Sequence, residues 1–152
     1  MTDSWRMAIT ATRHCLTGCA IGEIVGMVLS SWWGWGNTGS IVLSVVLAFF
    51  FGYLLTYTGV RRAGADSRTA ARAALASDTV SILTMEIVDN LFILVVPGAM
   101  AAGLDTTLFW WSLAVSLAVA FVAAVPVNHW LMERGRGHAV VHRFHEGHAG
   151  PH

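Results

Sequence analysis

Long apolar segments separated by short polar ones make up most of the first 132 residues. Spanning a bilayer takes about 20 apolar residues in a helix. The pattern predicts four such helices, over residues 14–33, 40–60, 67–96 and 107–132. Residues 133–152 follow them as a histidine-rich tail. We therefore expect an all-α, polytopic membrane protein whose four-helix transmembrane domain covers residues 1–132.

The composition agrees with this pattern. Hydrophobic residues make up 55% of the chain and charged residues 12%, whereas soluble domains carry about 25% charged residues. The lipid bilayer is therefore the expected environment. The formal net charge is zero, so nucleic acid is not an expected partner. The sequence contains no recognised nucleophile motif, and we do not expect an enzyme.

The arginines predict the orientation of the chain in the membrane. All nine basic residues lie in the N-terminal segment, the central connection or the C-terminal tail. The loops at residues 34–39 and 98–106 contain none. Because basic residues are retained on the cytoplasmic side, both termini are expected in the cytoplasm. The predicted location is the bacterial inner membrane, with multiple crossings.

The first helix carries an unusual set of polar side chains. Cys15, Cys19 and Glu23 follow one another at intervals of four, which places them along one helix face. His14 precedes the first thiol. A carboxylate near mid-bilayer costs roughly 3 kcal/mol to insert, so Glu23 is a candidate functional residue. A disulfide between cysteines one turn apart would be strained, so both are expected to be free thiols.

Glycines accompany this face. Gly18, Gly22 and Gly26 repeat every four residues, and small residues at this spacing let another helix approach closely. The polar face is therefore expected to contact a helix rather than lipid.

The third helix is expected to run parallel to the first, with further polar residues at matching depths. Asp78, Met85 and Asp89 fall within about 40° of one another around it, and Glu86 lies to one side. Two layers result. The cytoplasmic layer comprises His14, Cys15, Cys19, Asp78 and His129. The central layer comprises Glu23, Met85, Glu86, Asp89 and Asn90.

These side chains suggest a metal site, although each has a simpler interpretation. Thiolate, imidazole and thioether suit copper or zinc, and carboxylates also suit iron. The predicted metal ligands are His14, Cys15, Cys19, Glu23, Asp78, Met85, Glu86 and Asp89. The possible accessory ligands are His129, His138, His142 and His145. Alternatively, the thiols and Met85 are core packing, and the histidines mark the membrane surface or a mobile tail. In the same simpler interpretation, Glu23 pairs with a protonated carboxyl on the third helix and serves only helix association.

The chain also resembles a bacterial family of membrane proteins that share a domain of unknown function. The shared motifs are His14-Cys15-x-x-Gly18-Cys19-x-x-Gly22-Glu23 and Met85-Glu86-x-x-Asp89-Asn90, with similar segments at 126–128 and 135–138. The resemblance covers nearly the whole chain. It implies a four-helix membrane fold and no particular activity.

Three functions remain open at this point. The first is binding, and transport, of a transition metal ion (copper, zinc or iron), with a homo-oligomer forming the path. The second is a proton or cation channel that uses Glu23, Glu86 and Asp89. The third is an accessory subunit that docks another membrane protein through the glycine ladder.

Overall fold

The computed structural model describes residues 3–134. Over these residues the chain forms four α-helices and one short 3₁₀ turn, with no strand. The elements are α1 (Asp3–Trp33), α2 (Asn37–Arg62), α3 (Ser67–Val95), the 3₁₀ turn (Ala99–Ala101) and α4 (Thr107–Glu133). The all-α prediction is confirmed for this part of the chain.

The helices pack as a bundle in which neighbours along the chain lie side by side. α1 contacts α2 most extensively and also packs against α4, while α3 lies against both α2 and α4. Short connections join consecutive helices, as is usual for antiparallel neighbours. Helices α1 and α3 therefore run in the same direction and face each other across the interior.

The start of α1 differs from the prediction. The helix begins at Asp3, not near residue 14, and so has about three more turns. Residues 3–13 contain no proline or glycine, and Ala8, Ala11 and Thr12 are buried against the rest of the bundle. Packing therefore extends the helix beyond its apolar segment. The other helix limits lie within one turn of the predicted ones.

Small side chains face the interior of the bundle, and large apolar ones face outward. Helix α2 buries one residue in every four, namely Ser44, Ala48, Gly52, Thr56 and Val60. A similar stripe on α4 includes Ser112, Ser116, Ala120, Ala124 and Asn128. Outside, Val42, Val46 and Phe50 are each more than half exposed. Helix interfaces made of small residues, together with apolar outer surfaces, are typical of helices packed within lipid.

The glycine ladder brings α1 unusually close to α2. A Cβ atom added at Gly18 would lie 2.7 Å from the Cα atom of Gly52, and one added at Gly22 would overlap the backbone of Ala48. The predicted close helix contact is therefore confirmed, and the partner is α2 of the same chain. The ladder is buried within this chain.

Three helices, α1, α2 and α4, are long and apolar enough to cross a membrane. The chain is therefore a multi-pass membrane protein. Helix α3 is as long as the others but carries the carboxyl groups of Asp78, Glu86 and Asp89. Because of these charged residues, its composition alone does not identify α3 as a membrane-spanning helix.

Candidate functional site

Three carboxyl side chains meet in the interior between α1 and α3. Glu23 is 2% exposed, Glu86 3% and Asp89 4%. Their carboxyl groups are close enough to interact electrostatically with one another. We call this group the carboxyl cluster. It joins residues that are far apart in sequence because parallel α1 and α3 place them at the same depth.

The carboxyl cluster has few hydrogen-bond donors around it. Within the described chain, no hydroxyl, amide or amine group donates to either oxygen of Glu23, to Oε1 of Glu86 or to Oδ1 of Asp89. The Ser116 hydroxyl interacts with the Asp89 carboxyl, the Cys19 thiol with the Glu86 carboxyl, and the carboxyls of Glu23 and Asp89 with each other. The Nδ2 of Asn90 lies 3.4 Å from Oε2 of Glu86. The same amide donates to the backbone carbonyl of Glu86 at 2.8 Å, which fixes its position.

A buried group of three carboxyls needs positive charge to balance it. Three ionised carboxylates in a low-dielectric interior would repel one another and lose their hydration. Protons or a bound cation must therefore neutralise most of this charge. The helices beside the cluster supply no such charge, because the only basic residues of α2 and α4 in the described chain lie at their ends (Arg61, Arg62, His129).

A cavity of about 270 Å³ adjoins the carboxyl cluster. Its walls come from all four helices and from the connections that follow α1 and α3. The lining includes Glu23, Met27, Ser30, Trp35, Asn37, Ser40, Ser44, Glu86, Asp89, Asn90, Met100, Phe109 and Ser112. Trp35 and Asn37 are exposed at its rim. The cavity thus leads from one end of the bundle to the buried carboxyls.

Beyond the carboxyl cluster, the interior becomes tightly packed. Cys15 and Cys19 are free thiols, 2% and 0% exposed. They form an apolar core with Ile82 and Met85, together with alanines of α2 and α4. Cys19 also interacts with Glu86 of the cluster. This layer, which we call the thiol layer, separates the cavity from the opposite end of the bundle.

Asp78 lies on the far side of the thiol layer. It is fully buried, and its Oδ1 accepts hydrogen bonds from the Ser77 hydroxyl at 2.9 Å and from the Cys15 thiol at 3.7 Å. Unlike Glu23, it is therefore held by neutral donors. The bundle contains two acidic sites at different depths, with the thiols between them.

The two histidines of the described chain that were predicted as ligands lie elsewhere. His14 is exposed on α1, so the structure does not bring it to the buried thiols. The His129 ring stacks on Trp5 with centroids 3.9 Å apart. Its Nε2 lies 3.2 Å from the Ser4 hydroxyl and 3.7 Å from Oε1 of Glu133. His138, His142 and His145 lie outside the described residues.

No group of three or more His, Cys, Asp or Glu side chains within residues 3–134 is arranged to hold a metal ion. The predicted donors are instead divided between the carboxyl cluster, the thiol layer and Asp78. Met85 takes part in the apolar core, in agreement with its simpler interpretation.

The sequence did not reveal a buried polar contact of Asn128, at the same end of the bundle as Asp78. The Nδ2 of Asn128 lies 2.8 Å from the Thr12 hydroxyl and 2.9 Å from the Ser81 hydroxyl, which links α4 to α1 and α3. All three side chains are buried. An asparagine within an otherwise apolar helix was the available signal.

The serines of the cavity were also missed. Ser40 and Ser44 repeat every four residues, as do Ser112 and Ser116. Such spacing places each pair on one helix face, so the signal was present. It did not reveal that Ser40, Ser44 and Ser112 line the same cavity.

Comparison with known proteins adds a family. A model described as a domain of unknown function (DUF4396) matches residues 4–137. The chain belongs to this family. The match covers all four helices and the carboxyl cluster, and the family description names no activity. No curated protein and no solved structure matches the chain.

Proposed function

We propose that this protein moves protons across the bacterial inner membrane, with the carboxyl cluster of Glu23, Glu86 and Asp89 as the group that binds and releases them. One observation carries the proposal: three buried carboxyls, close enough to interact with one another, lie at the inner end of a polar cavity. Buried acidic residues in membrane helices are typical of proton relays. Protons are also the simplest way to neutralise the cluster.

The proposal requires α3 to be a fourth crossing. Its outward face is apolar, with Leu83, Ile87 and Leu91 each about half exposed (49%, 52% and 56%). The inward face carries the acidic residues, which packing against α2 and α4 shelters from lipid. A helix of this kind crosses the membrane because its polar groups face the bundle interior.

The positive-inside rule then orients the bundle. The arginines of the described residues are Arg6, Arg13, Arg61, Arg62, Arg68, Arg72 and Arg134. All belong to the end where α1 and α3 start and α2 and α4 finish. That end and both termini face the cytoplasm in this proposal. The cavity opens at the other end, and so towards the outside.

Proton transfer then has two stages. Water in the cavity exchanges protons with the carboxyl cluster from the outside. On the cytoplasmic side, Asp78 is the next acidic group, across the tightly packed thiol layer. Because this layer is tightly packed, the packing of Ile82 and Met85 must rearrange in each cycle. We therefore expect slow transfer, typical of a carrier, rather than the high conductance of an open pore.

Proton flux into liposomes tests this function. Purified protein is reconstituted with a pH-sensitive dye inside, and a potassium gradient with valinomycin imposes the potential. Wild type should acidify or alkalinise the lumen according to the sign of the potential, and Glu86→Gln should reduce the rate at least tenfold. Asp105→Asn removes an exposed carboxylate at the same end, outside the cavity lining, and should leave the rate unchanged. No flux from intact protein would refute the function.

A second candidate is transport of a transition metal ion. One observation favours it: two buried free thiols lie between the carboxyl cluster and Asp78, where a soft ion in transit would meet them. Elemental analysis of protein loaded under reducing conditions tests it. Stoichiometric copper, zinc or iron that disappears in Cys15→Ser/Cys19→Ser would support this candidate over proton transfer, and no bound metal would remove it.

The homo-oligomer remains a prediction. The carboxyl cluster and its cavity are formed within one chain, so the proposed proton site does not depend on a second copy. The accessory-subunit alternative loses its suggested docking surface, because the glycine ladder packs against α2.

A further inference from the structure

We propose that the cavity binds a small protonated amine, which is the cargo exchanged for protons at the carboxyl cluster. This inference rests on the proposed proton-transfer function and names the substrate class of the same site. It depends on the size of the cavity, on unpartnered carboxyl oxygens at its inner end, and on the apolar side chains in its walls.

The cavity is larger than an ion requires. Its volume of about 270 Å³ equals that of about nine water molecules, at about 30 Å³ each. Pockets for drug-sized ligands begin at about 300 Å³, so this slightly smaller cavity suits a ligand below that size. A bare metal ion would occupy little of this space, and proton transfer alone needs only water in it. A molecule with a few carbon atoms would occupy it.

Within the described residues, the inner end of the cavity offers no positively charged hydrogen-bond donor to the carboxyl cluster. Glu23 is 98% buried and lines the cavity. Its carboxyl group interacts with that of Asp89, another acidic member of the cluster, and no amide or hydroxyl of the described chain donates to it. Glu86 and Asp89 each leave one further oxygen unpartnered there. A primary ammonium group brings three N–H donors and one positive charge. It therefore supplies both of the properties that the carboxyl cluster lacks.

The walls of the cavity suit the organic part of such a ligand. Trp35 and Phe109 offer aromatic surfaces, and Met27, Ile93 and Met100 add apolar ones. Aromatic faces attract ammonium groups, and thioethers adapt to small apolar groups. A hydrated metal ion would gain nothing from these walls. No metal-binding group of three or more His, Cys, Asp or Glu residues is present in the described chain either.

The charges facing the cavity also favour a cation. The acidic side chains of its lining come from α1 and α3, and the lining includes no arginine, lysine or histidine. Helices α2 and α4 contribute only neutral side chains to it, such as Ser44 and Ser112. An anion would therefore find no positive partner here, whereas an ammonium group would find three acidic ones.

Binding of radiolabelled n-butylammonium to detergent-purified protein tests the inference. We expect saturable binding that unlabelled n-butylammonium displaces and that 1-butanol, its neutral analogue, does not. Glu86→Gln should weaken binding at least tenfold. Trp35→Ala removes an aromatic surface at the exposed rim that contacts the alkyl chain, and should weaken binding about threefold. Asp105→Asn serves as the control and should bind like the wild type.

The same preparations are assayed for proton flux, so that the two proposals fail separately. Butylammonium-driven proton movement that Glu86→Gln abolishes would support both. Proton flux without saturable amine binding, or amine binding that Glu86→Gln leaves unchanged, would overturn the inference and leave the proposed function standing. Absence of both binding and flux would overturn both. Displacement of n-butylammonium by 1-butanol would show that the cavity recognises the alkyl chain, and would also overturn the inference.

Discussion

Asn128 joins three helices through one side-chain amide. Its Nδ2 lies within hydrogen-bond distance of Thr12 on α1 and Ser81 on α3. In a bundle whose interior consists largely of small residues, such buried polar contacts fix how the helices pack. The contact lies at the end of the bundle opposite the cavity, where the proposed function needs a closed structure.

Replacing Asn128 with alanine should therefore destabilise the bundle. The change leaves the Thr12 and Ser81 hydroxyls without this partner in a buried site, and we expect a loss of about 2 kcal/mol in the free energy of unfolding. Unfolding in mixed detergent, followed by circular dichroism, measures it. Asn37→Ala removes an exposed amide and should change stability by less than about 0.5 kcal/mol. Equal stabilities of the two variants would contradict this role for Asn128.

Neutralising a single residue of the carboxyl cluster should have a different effect. Glu23→Gln keeps the size of the side chain, removes a buried acidic group and weakens the repulsion within the cluster. We expect a midpoint of thermal unfolding equal to or above that of the wild type, together with a loss of proton flux. A strongly lowered midpoint would mean that Glu23 stabilises the fold instead of serving transport.

At the scale of the elements, the central contact is that between α1 and α2. Their backbones approach where Gly18 faces Gly52 and where Gly22 faces Ala48. This approach fixes the rotation of α1, which in turn directs Cys15, Cys19 and Glu23 towards α3. The glycine ladder thus positions the functional face, although it carries no chemistry itself.

Gly22→Ala should separate α1 from α2. The added Cβ would overlap the Ala48 backbone, and overpacking of this kind costs about 1–3 kcal/mol. Gly59→Ala is the matched control, because nothing lies within 4 Å of a Cβ added there. In the last turn of α2, that change should instead be neutral or stabilise by up to about 1 kcal/mol. Similar effects of the two substitutions, measured by the same unfolding assay, would exclude a special role for the ladder.

The sequence predicted this level of structure well, and for identifiable reasons. The four-residue spacing of Cys15, Cys19 and Glu23 required a shared face, and parallel helices required Asp78 to lie near Cys15. The placement of His14 and His129 could not be predicted in the same way. His14 is one residue from Cys15, yet the rotation of α1 leaves it exposed. The His129 ring stacks on Trp5. Trp5 belongs to residues 3–13, which were not expected to be helical.

For the whole molecule, the sequence predicted the class but not the cavity. Apolar length and the positions of the arginines indicate a membrane bundle without reference to packing. The cavity, in contrast, arises because side chains from four helices and two connections meet only in three dimensions. Spacing within each helix contains no information on the gap left between them. The two layers predicted from the sequence do separate the thiols from the carboxyls in depth, but they assign Met85 to the carboxyls, whereas it packs with the thiols.

The proposed orientation places the cavity rim outside the cell, which labelling can check. In a Cys15→Ser/Cys19→Ser background, Asp105→Cys should react with a membrane-impermeant maleimide added to intact cells. Asp66→Cys, in the connection between α2 and α3, should react only after the cells are opened. The reverse pattern would place the cavity towards the cytoplasm. Reaction of both in intact cells would mean that α3, the one long helix between these two sites, does not cross the membrane.

The central claim is that protons neutralise the carboxyl cluster, and infrared spectroscopy of the protein in lipid tests it most directly. Protonated carboxyl groups absorb as C=O stretches that shift in heavy water, whereas carboxylates absorb separately. We predict protonated-carboxyl bands at neutral pH that weaken in Glu86→Gln and are unchanged in Asp105→Asn. Carboxylate bands alone, accompanied by stoichiometric bound metal, would contradict the account and favour metal transport.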